Sequence, residues 1–310
     1  MRQHLVLGIG ELLWDQLPEG EKLGGAPANF AVMAARLGNR AAVLSRVGRD
    51  DLGRRAIAGL EPLPVDQSQI QIDRENHTGV VTVQFEDGQP QYTIHHPSAW
   101  DFLELTSEWV SLAKRAGAIC FGSLAQRTLE SRQTIQTLVA QTAASCVRVF
   151  DVNLRAPFYS SEVIVESLEL ASVLKMNDFE MPLLQSLLGL PVEDARRPEV
   201  QLQCARRLLE EFPSLDLVAL TRGANGSLLV RRQDFHDHPG IPVEVADTIG
   251  AGDAFTAALI HYLLRGAPLA IINEAANRWG SWLASQAGAM PELSASLRRR
   301  ITLSIESVAR

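Results

Sequence analysis

Cysteine is scarce: Cys120, Cys146 and Cys204 are the only three in 310 residues, widely spaced and in apolar surroundings. An odd, scattered set excludes a disulfide framework and a cysteine-built zinc site, and suits reduced, unreactive thiols. Clustered positive charge is also missing. The formal net charge is -7, the isoelectric point is near 5.6, and no basic block interleaves with the 6% of aromatic residues, which excludes a general nucleic-acid surface. The densest basic run, Arg298-Arg299-Arg300, fits a solvated helix face. No apolar run reaches the roughly 18 residues of a membrane span. The first residues pass into Leu5-Val6-Leu7-Gly8-Ile9-Gly10 without a basic n-region or small-residue cleavage site, so the expectation is a cytoplasmic protein with no membrane partner.

Two phosphate-binding patterns are absent as well. There is no G-x-x-x-x-G-K-[ST] run, which excludes a P-loop. Gly8-Ile9-Gly10 ends a strand-like run, but Leu13 stands where a dinucleotide-binding turn requires its third glycine, which weakens a nicotinamide-dependent reading. His95-His96 and His236-Asp237-His238 lack partners at metal-site spacing and read as solvated histidines. No internal repeat, low-complexity stretch or linker divides the chain, and 46% apolar content supplies the core of one domain over 1–310.

What the chain does have is Ala246-Asp247-Thr248-Ile249-Gly250-Ala251-Gly252-Asp253-Ala254-Phe255. Phe255, Ala258, Leu259 and Tyr262 follow at helical spacing, which predicts a buried helix from about residue 251. Gly250, Ala251 and Gly252 leave its first-turn N–H groups open to an anion, and the helix dipole favours one. Because the acidic balance repels an anionic ligand such as ATP, local donors of this kind, or a metal, are required. Asp253 is either a plain helix cap or a general base beside a phosphate cradle.

A second glycine-led helix start precedes it. Lys22-Leu23-Gly24-Gly25-Ala26-Pro27-Ala28-Asn29 puts Pro27 in a first helical turn, and Phe30, Met33, Ala34 and Leu37 continue the pattern to Gly38. Asp15 and Asn29 bracket the glycine pair with groups able to bind hydroxyls, which suits a polyol. Thr78 to Phe85 and Gln91 to His95 form a hairpin around an Asp87-Gly88 turn with no covering helix, so a small antiparallel sheet, acting as a lid, is expected. From residue 118 strands and helices alternate, which predicts a mostly parallel sheet with helices on both faces and ligands at the carboxyl ends of its strands.

Polar groups gather at those ends. Arg155, closing Asp151-Val152-Asn153-Leu154-Arg155, carries a fork suited to phosphate. Asn177 and Glu180 either make a capping box or hold a hydrated Mg²⁺. Thr221-x-Gly223-x-x-Gly226 is a tight hairpin that can also edge a nucleotide site.

With these residues in place, the chain resembles the ribokinase-like (PfkB) sugar kinases from about Leu5 to Pro291. Asp247-Thr248-x-Gly250-Ala251-Gly252-Asp253 matches the C-terminal signature of that family, and Gly24-Gly25-x-x-x-Asn29 its N-terminal one, about 225 residues apart. The resemblance implies a three-layer α/β/α sandwich with a β lid formed by about 11–24 and about 70–98. It implies Asp253 as base, the Gly250, Ala251 and Gly252 amides as anion hole, and Asp15, Gly24, Gly25 and Asn29 as sugar-binding, with Arg155 beside them. It also implies ATP bordered by Asn177, Thr221, Gly223, Gly226 and Asn277, Mg²⁺ served through water by Glu180, and a monovalent cation, K⁺, near Asp247 and the Gly288 turn. Glu292 departs from the pattern where a small hydroxyl residue is sometimes found. Gly10-Glu11-Leu12-Leu13-Trp14-Asp15, Ser98-Ala99-Trp100-Asp101 and Gly122-Ser123-Leu124-Ala125-Gln126-Arg127 look most like fructokinases. The expectation is therefore an ATP-dependent kinase of free fructose. Another sugar or sugar acid (ribose, tagatose, 2-keto-3-deoxygluconate), a nucleoside, or a non-catalytic sugar-binding regulator stand as alternatives. The uncovered lid edges make a homodimer through the lid an expectation too.

Overall fold

The computed structural model describes residues 3–18, 20–86, 89–192 and 197–306. In chain order the first half comprises β1 (Leu5–Ile9), β2 (Leu13–Leu17), β3 (Gly20–Gly24), α1 (Ala26–Arg36), β4 (Arg40–Leu44), β5 (Arg46–Gly48), α2 (Asp51–Leu60), β6 (Gln71–Asp73), β7 (Gly79–Glu86), β8 (Gln89–Ile94), α3 (Ser107–Ala113), β9 (Ala118–Gly122) and α4 (Leu129–Ala140). The second half comprises β10 (Val147–Asp151), α5 (Ser161–Leu170), β11 (Val173–Asn177), α6 (Glu180–Leu187), α7 (Pro198–Glu211), β12 (Leu217–Thr221), β13 (Ser227–Val230), β14 (Phe235–His238), α8 (Ala251–Leu263), α9 (Leu269–Ala284) and α10 (Ala295–Glu306).

Short apolar runs bounded by glycine or polar residues make the strands, and they assemble into an eight-stranded sheet ordered β14-β13-β12-β11-β10-β9-β1-β4. The six strands from β4 to β12 are parallel, and β13 and β14 are antiparallel. Alternate strand residues feed two separate cores. Val6, Val43, Val149, Val173 and Ala219 pack under α1, α8 and α9. Leu7, Leu44, Phe150, Leu174 and Val218 pack under α3, α4, α5, α6 and α7. The period of two along each strand thus produces the three-layer α/β/α sandwich that the alternation predicts. Among the described residues no helix is long and apolar enough to cross a membrane.

A second sheet, ordered β3-β2-β7-β8, stands outside the first. It differs from expectation in two ways. The stretch from about residue 70 divides, since β6 pairs with β5 in a separate two-stranded sheet and only β7 and β8 join β2 and β3. The sheet is also mixed: β2 runs antiparallel to β3 but parallel to β7. The Asp87-Gly88 turn lies outside the described residues. The strand-like run Ala41 to Val47 breaks at Ser45, whose hydroxyl donates to the Gly10 carbonyl (2.7 Å). α9 stops at Ala284, whose carbonyl accepts the N–H groups of Ala246 and Asp247 (2.9 and 3.2 Å). That anchors the turn leading into α8.

Candidate active site

α8 starts without a side-chain cap. Gly250, its N-cap, has φ 79°, and a Cβ there would lie 2.8 Å from the Cβ of Ala289, so both conformation and space demand glycine. The Ala251 N–H closes a turn onto the Thr248 carbonyl (3.2 Å), which sharpens the expected anion hole. Among the described residues the N–H groups of Gly250, Gly252 and Asp253 have no acceptor in the chain. Three unshared donors at the positive end of a buried 13-residue helix suit an anion.

Asp253 sits in that first turn and is half-buried. Its Oδ2 accepts a 2.8 Å hydrogen bond from Nδ2 of Asn29, which α1 carries from the other glycine-led start. Burial pushes the Asp253 carboxyl up to about 6, the negative charge of Asp151 adds to that, and the Asn29 bond, Lys175 and Arg155 oppose it. Asp253 is therefore an ionised carboxylate at neutral pH with a proton affinity above that of an ordinary aspartate. This is what a base acting on a hydroxyl requires.

The start of α1 is arranged differently. Gly25, its N-cap, has φ 115°, and a Cβ would lie 2.2 Å from the Glu11 carbonyl oxygen. Pro27 has no N–H, and the Ala26 N–H is taken by Glu11 Oε1 (3.3 Å). Glu11 is buried, its Oε2 has no partner, and burial pushes its carboxyl up to about 7. The Oδ1 of Asn29 is likewise buried without a partner. This start offers acceptor oxygens beside bare backbone, chemistry suited to hydroxyls rather than anions. Asp15 joins it from β2. Burial pushes Asp15 up to about 6, with Arg155 and Lys22 opposing. Arg155 is exposed, and its charge is felt at Asp15, Glu11 and Asp253 alike. Gly24 is buried beside Asp15, whose Oδ2 lies 2.7 Å from where a Cβ would stand.

Beneath the anion site a charged pair is fully enclosed. Lys175 Nζ meets Asp151 Oδ1 at 3.0 Å, and both side chains are under a tenth exposed. Burial pulls Lys175 down, but the carboxylates of Asp151, Glu180 and Asp253 outweigh it and hold the ammonium protonated. Its Nζ would lie 3.1 Å from a Cβ at Gly252. The ammonium thus adds positive charge directly behind the open amides. Thr256, on α8, ties this layer to the helix through its Oγ1, which lies 3.4 Å from Asp151 Oδ2 and donates within α8 to the Gly252 carbonyl (2.9 Å).

Asn177 and Glu180 form the capping box: Asn177 Oδ1 accepts from the N–H groups of Phe179 and Glu180 (3.0 and 2.8 Å), and Glu180 Oε2 accepts from the Asn177 N–H (2.8 Å). Glu180 Oε1 takes the Leu154 N–H (3.0 Å), so a buried Glu180 is committed to the chain through both oxygens. Among the described residues no three His, Cys, Asp or Glu side chains gather as a metal cage. A hydrated Mg²⁺ carried by a nucleotide would meet Glu180 only through its waters. Thr221, at the end of β12, pairs with Ser227, and the Gly223–Gly226 turn between them has positive φ at both glycines. Asp178, Gln201, Arg222, Asn225 and Asp237 line a cavity of about 470 Å³ beside that turn. Asn277 is buried, and its Nδ2 donates to Ser227 Oγ (2.7 Å) and to the Asn273 carbonyl and Oδ1. It therefore stands behind the wall of that region.

Lys175, Lys22 and Glu11 were not singled out from the sequence as site residues. Lys175 left one signal, a lone cation inside the apolar strand Val173-Leu174-Lys175-Met176, which must have a partner. Glu11 and Lys22 left none, since their contacts lie 15 and 225 residues away.

Residues 19–295 match the pfkB family carbohydrate kinases. A sugar kinase of Pyrococcus horikoshii is 30% identical over 278 residues, 84% of this chain and 83% of that protein. Its crystal structure in complex with ATP superposes with a TM-score of 0.77 at 30% identity, covering 92% and 94% of the two chains. The fructokinase of Escherichia coli is 31% identical over 271 residues, 81% of this chain and 82% of that one. The fructokinase of Vibrio cholerae, solved with fructose, ADP and calcium, gives a TM-score of 0.73 at 28% identity over 93% and 95% of the chains. A double mutant of it was solved with fructose, ADP and potassium. With its two glycine-led helix starts joined through Asn29 and Asp253, the chain belongs to the PfkB family of carbohydrate kinases.

Proposed function

We propose that this sugar kinase transfers the terminal phosphoryl group of ATP to a free sugar, with D-fructose the first candidate, and that Asp253 is the general base. One observation carries the assignment: the 2.8 Å hydrogen bond from Asn29 to Asp253, which puts the hydroxyl-binding start of α1 against the anion-binding start of α8. Asp15, Gly24, Gly25, Asn29 and Arg155 hold the sugar with one hydroxyl at Asp253. As the bond from that oxygen to phosphorus forms and the bond to the β-phosphate oxygen breaks, the hydroxyl proton passes to Asp253 and from there to solvent. The N–H groups of Gly250 and Gly252, backed by Lys175, neutralise the charge on the moving group, and positioning supplies most of the rest. Asn177, Thr221, Gly223 and Gly226 border the nucleotide, with Asn277 behind them. Glu180 would serve, through water, a Mg²⁺ arriving with the nucleotide, and that ion would supply charge neutralisation there. The sheet β3-β2-β7-β8 acts as the lid over the sugar, since β2 and β3 bring Asp15 and the glycine pair to the site. Its open edges suit pairing with a second copy, which light scattering at micromolar concentration tests.

Fructose is favoured by the fructokinase relatives, each about 30% identical. A coupled ADP-release assay over fructose, ribose, tagatose, 2-keto-3-deoxygluconate and adenosine tests the choice. Fructose is expected to have the highest kcat/KM. Any other compound exceeding it by about tenfold, roughly 1.4 kcal/mol in transition-state stabilisation, overturns the substrate assignment.

A further inference from the structure

The monovalent-cation site that the family resemblance implies at Asp247 already holds a cation, and it belongs to the chain. Lys22, on β3, places its Nζ 3.0 Å from Asp247 Oδ2. The same oxygen accepts the Gly288 N–H (3.1 Å), and Oδ1 accepts the Ile249 N–H (3.0 Å). Burial raises the Asp247 carboxyl, but those amides and the Lys22 ammonium outweigh it and hold the group below the usual aspartate range. Both oxygens are therefore engaged and the single negative charge is neutralised. A potassium ion at this carboxylate would face a like charge a few ångströms away, with no anionic oxygen left to offset the repulsion. The Asp247 carboxylate, engaged in this way, does not fit K⁺.

Geometry gives this pair more than an incidental role. Asp247 lies three residues before Gly250, in the turn that aims the open N–H groups of α8. Its N–H and that of Ala246 are fixed to the Ala284 carbonyl, and its carboxylate is fixed to Gly288, so the turn is held from two sides. Lys22 supplies the third attachment, and it comes from the strand opposite Asp15, whose carboxyl also feels its charge. A partly exposed ion pair of this kind adds little to folding stability. What it supplies here is a positive charge that orders the anion-hole turn.

We propose that Lys22 is a built-in replacement for the monovalent cation, so that this kinase works without potassium and Lys22 acts as a positioning residue for the anion hole. The inference rests on the roles proposed above for Gly250 and Gly252. Turnover of the preferred sugar is measured in KCl and in tetramethylammonium chloride at equal ionic strength, for the wild type, Lys22→Met and Lys22→Arg. Wild-type and Lys22→Arg rates are expected to agree between the salts within about twofold, and Lys22→Met in tetramethylammonium is expected to lose about tenfold in kcat, the scale of one lost hydrogen bond to a charged group. Recovery of Lys22→Met in KCl shows the ion entering the vacated place. Loss in both salts, with Lys22→Arg active, shows the tethered charge to be irreplaceable, and either result supports the proposal. Wild-type activation by KCl of about tenfold, or Lys22→Met matching the wild type in tetramethylammonium, overturns it. Melting temperature gives a readout independent of turnover: a wild-type Tm that climbs with KCl, relative to tetramethylammonium, also overturns it. If no sugar is phosphorylated, the functional reading fails while the Tm comparison still decides this one.

Discussion

The two helix starts that face each other across Asn29 and Asp253 are built from the same residue types and do opposite things. At α8 the cap is a bare glycine, and the amides of Gly250, Gly252 and Asp253 are left open. At α1 the cap is also a bare glycine, yet Pro27 removes one donor and Glu11 fills another. Glycine in such a motif admits a ligand to the backbone. Whether that ligand is an anion or a hydroxyl is set by what neighbouring side chains do with the donors. A pair of charges backs the open start, Lys175 on Asp151, whereas a buried carboxyl with a raised proton affinity backs the closed one.

Four substitutions break or sharpen that contrast. Asp253→Asn removes the base and is expected to cost ~10²-10⁴-fold in kcat, with sugar and nucleotide binding by calorimetry unchanged. Gly250→Ala strikes the open start by forcing a side chain into positive φ against Ala289. A loss of ~10²-10³-fold in kcat, the scale of one lost oxyanion donor, is expected, with a lower Tm. Asn29→Ala cuts the link between the two starts. It is expected to cost ~10-100-fold in kcat/KM, the scale of a hydrogen bond to a charged group. Because the Asn29 bond lowers the Asp253 pKa from a higher value to about 6, the acidic limb of the rate profile moves upward in that variant.

The smallest effect concerns the closed start and stability rather than rate. Folding raises the Glu11 carboxyl from 4.5 to about 7, so between those values the folded chain holds a proton that the unfolded chain has released. Stability therefore declines as pH rises through that window. Glu11→Gln keeps the acceptor for the Ala26 N–H but does not titrate. Denaturant unfolding at pH 5 and pH 8 is expected to show a loss in the wild type larger by about 1–3 kcal/mol than in the variant, where Asp15 and Asp253 still titrate.

The main layers of this fold are legible in the sequence because they rest on local pattern. Glycine-bounded apolar runs gave the parallel strands, and helical spacing from Phe255 to Tyr262 gave α8. The same holds for the hydrogen-bonded pair Asp253 and Asn29, since each stands at a fixed offset from its own glycines. What was not legible depends on contacts distant in sequence. The parallel pairing of β2 with β7 and the separation of β5 and β6 are tertiary choices among three- to eight-residue strands. Lys22 is an ordinary surface lysine in sequence until the fold carries it to Asp247. Glu180 shows the converse. The capping box was visible from spacing alone, but that its second oxygen would be spent on the Leu154 amide depends on where the Asp151 to Arg155 loop passes.

Whether Asp253 is the base is decided by the pH dependence of kcat/KM for the sugar, wild type beside Asp253→Asn. With Asp253 as the base, the wild-type rate should rise with unit slope through about pH 6 and level off above it. The residual activity of the variant should lack that limb. The same limb in both proteins, or near-normal turnover of the variant, would contradict the assignment.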